Sequence, residues 1–385
     1  MPGYELIGNE EFQEIKEIFD KSRIFFRHGF DQLRNGVYKV RDFERAFAQR
    51  LEIDYALAVT SGTAALRVAL AALGIGPGDE VITQSFTFVA TVEAIIESGA
   101  IPIITEVDDT LNLDPEDLER KITPRSKALI AVHMLGTPAR LEKIIPLARQ
   151  HGLAVIEDTA WGCGGTLNGK PLGTISDIGT FSFDFAKTMT TGEGGMLVTR
   201  DRGIYEKAAA YHDHGHENNP DLPRWEDSRS GSGFNYRMNE LQGAVGLAQL
   251  RKLDQVVAGQ RHNRGAILQA IKDLPGVQLR SEPEGANGTA DALVFFVKDN
   301  ALARACRGAL LQAGIGTKIL PEAITWHFAG TWDHMPPLVA ANGGNLSQAF
   351  PRSRAFLDRA VALPINVKMA PDTPVRIKQA LTTVL

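Results

Sequence analysis

Between Tyr55 and Thr199 short apolar, often β-branched runs alternate with helical patterns: YALAVT, ALRVALAAL, EVITQ, TFVATVEAIIESG, AIPIITEVD, KALIAVHML and LAVIED. Runs that are apolar throughout have no side to give to water, so they predict a mostly parallel sheet covered by helices on both faces. The phrases GIGPGDEV and ITPRSKALIAV put Gly-Pro and Thr-Pro just before two of these strands, where turn chemistry belongs. After the helical pattern NELQGAVGLAQLRKLDQVVAGQRHNRGAILQAI, the sequence DLPGVQLRSEPEGANGTADALVFFV turns to loops and isolated strands, and ALARACRGALLQAG is again helical. The expectation is an α/β chain: an arm over residues 1–35, a large domain over 36–250 and a smaller C-terminal α+β domain over 251–385. A long helix from about Leu241 to Lys272 should join the last two. No internal repeat or low-complexity tract interrupts this order.

Composition narrows the function classes. With 385 residues, 44% hydrophobic, 23% charged and 37 Gly, the chain has material for two or three globular domains. Its 41 Lys+Arg against 46 Asp+Glu give a net charge of -5, so no basic field draws nucleic acid or an anionic membrane surface. The two cysteines, Cys163 and Cys306, are too few for a disulfide framework or a structural zinc site, and a reducing cytoplasm fits them best. The opening MPGYELIGNEEFQEIKEIFDKSR is amphipathic and of mixed charge, without the pattern of a secretory signal. No apolar run approaches the roughly 20 residues of a membrane-spanning helix.

Three segments carry candidate chemistry. Thr60-Ser61-Gly62-Thr63 follows the strand YALAVT and opens a helix, whose free N–H groups and positive dipole end suit a phosphate. An ordinary Ser/Thr N-cap explains the same pattern. In LAVIEDTAWG, Asp158 closes a buried strand at the edge where ligands of open α/β sheets gather, although a helix cap or metal ligand reads the same way. In GTFSFDFAKTMTTGEGGMLVT, a strand delivers Ser182 and then Lys187 on a Gly/Thr-rich turn. A lysine enclosed by buried strands is desolvated, which lowers its pKa and makes it a nucleophile for a carbonyl. A Schiff-base lysine, an acid for a pyridine nitrogen and a phosphate cradle together describe a site for pyridoxal 5'-phosphate.

SGTAAL, GPGDEVI, SFTFVATVEAI, HMLG, VIEDTAWG, FSFDFAKTMTTGEGGM and FNYRMNELQGAVGLAQL stand in the order and spacing of the DegT/StrS family of sugar aminotransferases. The chain resembles that family strongly from about Gly36 to Asp254 and weakly beyond. The resemblance implies the pyridoxal phosphate fold of type I, with a mostly parallel seven-stranded sheet sandwiched by helices. It implies that Lys187 is the Schiff-base lysine, and that Asp158 keeps the cofactor's ring nitrogen protonated. It further implies that Gly62, Thr63 and Ser182 hold the phosphate, that Phe88 stacks on the ring, and that Asn235 reaches the phosphate of a neighbouring subunit. A homodimer with shared active sites follows, with L-glutamate as the usual amino donor and a keto or aldehyde sugar as acceptor. A related branch dehydrates keto sugars with histidine in place of the lysine; this chain keeps Lys187.

Two places depart from the family pattern. Three residues after Asp158 the family often has a polar residue on the cofactor's ring oxygen, and here Trp161 stands there, a candidate wall of the sugar pocket. The second is the long polar loop YHDHGHENNPDLPRWEDSRSGSGFNYR. Its alternating His212, His214 and His216 have no Cys partner and suit a solvated or substrate-facing loop better than a metal site. Arg224, Arg229 and Arg237 are candidates for gripping a carboxylate, with surface salt bridges as the alternative. MPGYELIGNEE, HDHGHENNP and TWHFAGTWDHM resemble a branch that aminates C8 of an oxidised 3-deoxy-manno-octulosonate for lipopolysaccharide, which would place Trp326 and His327 in the sugar pocket. The competing acceptor is a nucleotide-linked 4-keto-6-deoxy sugar. A cysteine desulfurase would need a mobile nucleophilic Cys, which neither Cys163 nor Cys306 suits. A sensor that has lost catalysis is disfavoured by the intact set of Lys187, Asp158 and Ser182.

Overall fold

A computed structural model describes residues 2–219 and 221–385. The apolar runs become β1 (Tyr55–Val59), β2 (Glu80–Gln84), β3 (Ile101–Thr105), β4 (Ser126–Val132), β5 (Ala154–Asp158), β6 (Ile178–Ser182) and β7 (Gly195–Thr199). They form one seven-stranded sheet in the order β1-β7-β6-β5-β4-β2-β3. The five strands from β6 to β3 pair in parallel, whereas β7 runs antiparallel to both β1 and β6. Every residue of β2, β6 and β7 is buried, as fully apolar strands require.

Alternation along the strands selects which helices they meet. The Ile130 and Val132 side of β4 shares an apolar cluster with Ala65, Val68 and Ala69 of α3 (Gly62–Ala72) and with Val92 and Ile95 of α4 (Val89–Glu97). The Leu129 and Ala131 side packs on Leu141, Ile144 and Ala148 of α5 (Leu141–Gln150). On the opposite side of the sheet from α3, Met196 and Val198 of β7 meet Phe43 and Phe47 of α2 (Lys39–Leu51) and Leu250, Leu253 and Val257 of α7 (Glu240–Ile271). Helix α1 (Asn9–Glu17) precedes α2 in the chain, and α6 (Arg202–Tyr211) precedes α7. The small residues of the NELQGAVG phrase let α7 and α2 touch: a Cβ on Gly243 would stand 2.7 Å from the Val40 backbone nitrogen, and one on Gly246 2.6 Å from the Phe43 ring.

Helix α7 is 32 residues long and starts at an Asn239–Gln242 capping box, so it spans the expected junction at residues 250 and 251 without a break. Beyond it a three-stranded antiparallel sheet has the order β8 (Gln278–Leu279), β9 (Ala292–Phe296), β10 (Ala360–Pro364). One face, with Leu293, Phe295, Val361 and Leu363, is covered by α8 (Asn300–Gln312) and α9 (Thr373–Thr382). The other face, with Val294, Phe296 and Ala362, joins the apolar cluster of the large sheet through Phe328, Trp332 and Leu338. The two sheets therefore share one core on that side. Residues 324–332 are thereby held against the end of β2, where Phe86 and Phe328 form a backbone bridge.

The corner between α3 and the sheet is tight: a Cβ on Gly195 of β7 would stand 2.3 Å from the Ser61 carbonyl oxygen. Gly195→Ala is expected to destabilise the protein by about 1–3 kcal/mol through this overpacking. Urea unfolding checks this; an unchanged midpoint would show that the corner yields freely.

Candidate functional site

Strands β5 and β6, the β2–α4 connection and the start of α3 end around a cavity of about 360 Å³. Its lining includes Gly62, Thr63, Phe88, Asp158, Trp161, Ser182, Lys187 and His327, so most of the residues singled out in the sequence come together. Ser61 does cap α3, its Oγ accepting from the Ala64 N–H at 3.0 Å. The cap leaves the N–H groups of Gly62 and Thr63 at the open helix end, and both residues line the cavity. The capped turn and the open helix end that faces the cavity are thus the same segment. Gly62 is required there because a Cβ would stand 2.7 Å from Ser182 Cβ, in the gap between helix end and strand end.

Asp158 closes β5, and its Oδ2 accepts from Thr91 Oγ1 at 3.0 Å while Oδ1 accepts from the Ala160 N–H at 3.2 Å. Thr91 in turn contacts Thr87 Oγ1 at 2.8 Å. Burial pushes the Asp158 carboxyl up from the usual range, against the pull of these two donors and of Lys187. Such a carboxylate is suited to receive a positively charged group.

Lys187 is buried, and its Nζ lies 3.4 Å from the centroid of the Trp161 ring. Burial pulls its pKa down to about 8, while Asp291 and Asp158 hold it up and Lys318 lowers it further. Lys318 Nζ stands 4.8 Å from the same indole and pairs with Asp291 at 2.6 Å. The polar contact expected three residues after Asp158 is therefore replaced by an aromatic face shared by two ammonium groups. His327 is pulled down to about 4, mainly by burial, and is neutral at pH 7. Its Nδ1 lies 3.1 Å from the Ala323 carbonyl, to which it donates, leaving Nε2 as the acceptor.

Other candidates lie apart from the cavity lining. Trp326 is 61% exposed and stacks on Phe88 with planes 8° apart and centroids 6.4 Å apart, extending the rim. Asn235 is exposed and bridges Asp213 by its backbone, away from this chain's own cavity. Arg224 binds Asp213 at 2.8 Å and Arg237 binds the same carboxylate, so both guanidinium groups are already engaged within the chain, as the salt-bridge alternative has it. Arg229 is exposed and takes part in a backbone bridge with His216. The three loop histidines diverge: the ring of His212 faces that of His28 at 6.2 Å, and His216 pairs with Asp227 at 3.1 Å. His214 occupies a left-handed turn.

Thr91, Lys318 and Asp291 were missed in the sequence. Thr87 and Thr91 are four apart at the opening of α4, a spacing that could have marked a hydroxyl pair on one helix face. Lys318 and Asp291 are 27 residues apart and meet only through the fold of the small sheet.

A buried lysine of lowered pKa, a buried carboxylate short of a cation, and a helix end closed on a serine with no room for a Cβ fit the three ends of pyridoxal phosphate. The profile of the DegT/DnrJ/EryC1/StrS aminotransferase family matches residues 11–382. The chain belongs to the DegT/DnrJ/EryC1/StrS aminotransferase family. It is a pyridoxal phosphate-dependent aminotransferase. It is 34% identical to the spore coat polysaccharide biosynthesis protein SpsC of Bacillus subtilis (strain 168) over 381 residues, 95% of this chain and 92% of that one. It is 40% identical to the GDP-perosamine synthase of Escherichia coli O157:H7 over 244 residues, 63% of this chain and 66% of that one. Among solved structures, DesV of S. venezuelae in complex with a ketimine intermediate has a TM-score of 0.84 at 28% identity, over 99% of this chain and 95% of that one. The aminotransferase of Psychrobacter cryohalolentis has a TM-score of 0.85 at 27% identity, over 98% and 97%.

Thr91→Val removes a hydrogen bond to a buried charged group, worth about 1.5–3 kcal/mol. It is expected to weaken cofactor retention roughly tenfold or more, read by equilibrium dialysis, with the fold unchanged by circular dichroism. The lowered pKa of Lys187 has a second consequence. The unfolded chain binds the Lys187 proton up to about 10.5 and the folded chain only to about 8, so cofactor-free protein gains stability as pH rises through that window. Lys187→Met is expected to stabilise the cofactor-free protein at pH 7 by a few kcal/mol at most, and the gain should shrink towards pH 10. A gain that is independent of pH in denaturant titrations would contradict the shift.

Proposed function

We propose that this family member moves an amino group from L-glutamate to the keto group of a nucleotide-linked 4-keto-6-deoxy sugar. The observation that carries this reading is its similarity to three proteins named GDP-perosamine synthase, at 40%, 43% and 38% identity. The amination of a free octulosonate aldehyde is the weaker reading. Its support lay partly in loop arginines suited to an acidic sugar, and Arg224 and Arg237 are instead held by Asp213. What still favours it is the TWHFAGTWDHM segment, which forms the cavity rim through Trp326 and His327. The product of either reaction suits a cell-surface polysaccharide, lipopolysaccharide among them, made in the cytoplasm.

When bound, pyridoxal phosphate supplies the carbonyl that carries the amino group between the substrates and the ring that takes up the electron pair of the broken C–H bond. In this reading Lys187 would hold that carbonyl, and its Nζ would serve as the base that takes the α-proton of the donor and as the acid that gives a proton back. A pKa of about 8 leaves about a tenth of the amine neutral at pH 7, against less than a thousandth for an ordinary lysine. Asp158 holds a proton at the ring nitrogen, and Thr91 keeps the carboxylate turned towards it. The Gly62 and Thr63 N–H groups and Ser182 hold the phosphate. Trp161 and Phe88 wall the cavity against water.

A homodimer completes the site. Phe12, Phe19, Phe30, Leu33 and Phe234 are each more than 48% exposed, a concentration of apolar surface that suits burial against a second copy. Asn235, beside Phe234, would then reach the partner's phosphate.

The test records visible absorption of the holoenzyme, adds L-glutamate, and then offers each sugar class. Glutamate should bleach the Lys187-dependent band, and a nucleotide-linked 4-keto sugar should restore it. Restoration only by the octulosonate aldehyde would overturn the proposal in favour of the second reading. Lys187→Ala should lower kcat by about 10²–10⁴-fold.

A further inference from the structure

The loop that carries Lys187 has no helix or strand between Ser182 and Gly195; its turns are closed by bonds such as Lys187 N–H to the Asp184 carbonyl at 3.1 Å, but its seating against the rest of the fold depends on what packs against it. The segment Gly3–Glu11 does so at three points. The Gly3 N–H donates to the Lys187 carbonyl at 3.0 Å. The approach is so close that a Cβ on Gly3 would stand 2.8 Å from that oxygen and 2.9 Å from Met189 Cα. Tyr4 stacks on Phe185 with ring centroids 4.9 Å apart and planes 28° apart.

The third point is a relay through α7. Glu11 is 3% exposed and accepts from Gln249 Nε2 at 2.8 Å and from Lys252 Nζ at 2.8 Å. An ionised carboxylate only accepts, so Gln249 must turn its amide nitrogen to Glu11 and its oxygen away. That oxygen accepts from the Thr190 N–H at 3.3 Å. The carbonyl of Lys187 and the N–H of Thr190 are thus both fixed from outside the loop. Gly3 and Tyr4 lie ahead of residue 11, where the family match starts.

We propose that Gly3, Tyr4 and the Glu11–Gln249 pair are positioning residues for Lys187, holding the backbone of its loop so that Nζ stays at the cofactor's reactive carbon. The proposal rests on the reading of Lys187 as the cofactor-bound lysine and is independent of which sugar is the acceptor. None of these residues touches the cavity, so their effect must pass through the loop.

The experiment compares holoenzymes carrying Gly3→Ala, Gln249→Met, Tyr4→Ala and Tyr4→Phe with the parent and with Lys16→Ala, an exposed control. The readouts are the pH midpoint of the visible cofactor band, amide hydrogen exchange over residues 184–191, and the kcat and KM for the donor. Gly3→Ala and Gln249→Met should raise exchange in that stretch roughly fivefold, the effect of one net hydrogen bond. They should also move the pH midpoint and lower kcat about tenfold with little change in KM, as misplacement of a reacting group does. Tyr4→Phe keeps the stack and should match the parent, whereas Tyr4→Ala should follow the other two. If Gly3→Ala does not fold, Gln249→Met reads the same tie from a distant helix. A visible band whose midpoint and loop exchange are unchanged in Gly3→Ala and Gln249→Met overturns the proposal, as does a change in KM alone. A visible band that survives in Lys187→Ala overturns instead the assignment of Lys187.

Discussion

The rest of the site depends on keeping an ammonium and a carboxylate in one enclosed cavity without letting them pair. Among the described residues no carboxylate lies within ion-pair distance of Lys187, whose Nζ instead stands 3.4 Å from the centroid of the neutral Trp161 ring. Asp158 is likewise held by hydroxyl and amide donors and by no cation. Both groups are desolvated and both are shifted towards their neutral forms. A buried pair in contact would reach a stable minimum and have no reactivity to spare. Separation keeps the lysine basic enough to form a bond and acidic enough to lose its proton.

That separation is a property of the sheet. Asp158 and Ser182 end the adjacent parallel strands β5 and β6, so their spacing is fixed by backbone pairing at Asp158 and Thr180. Helix α3 meets the end of β6 at Gly62, and β7 presses on the same corner through Gly195, so the anion cradle cannot drift relative to the carboxylate. The lysine is the exception, since it sits on a loop. Its place is set by contacts from α7 and from residues 3–11, which supply the rigidity that strand pairing gives the other two groups.

What could be read from the sequence follows the same division. The five strand-like runs, the Ser-Gly-Thr turn, Asp158, Ser182 and Lys187 are local features, each a strand, strand end or turn recognisable within about ten residues. The cavity brings the turn and the three side chains together. The antiparallel insertion of β7 between β1 and β6 was not legible, because a fully apolar strand carries no sign of its direction. Nor was the partner of Lys318, or the fate of Arg224 and Arg237. A cation in a polar loop reads as free until the fold shows Asp213 beneath it. Thr91 lay within reach, since its spacing from Thr87 is helical, but a threonine pair on an apolar helix has a packing explanation as well.

The two sides of the cavity consequently differ in kind. The side that fits the cofactor is drawn from residues 61–193, at the strand ends of the large sheet and the turns and loop seated on them. The opposite rim is drawn from residues 318–328, which no strand or long helix holds; backbone bonds tie it to β10, where the Lys318 N–H donates to the Ala362 carbonyl at 2.8 Å, and to the end of β2, where the Thr87 N–H donates to the His327 carbonyl at 2.9 Å. A rim built from a loop outside the large sheet can change its side chains without disturbing the cofactor face. Acceptor identity is therefore free to vary while the chemistry stays the same. His327, neutral and with Nε2 free to accept, Trp326 lying flat on Phe88, and Lys318 beside the Trp161 indole are the polar and aromatic groups that this segment brings to the cavity side of Lys187.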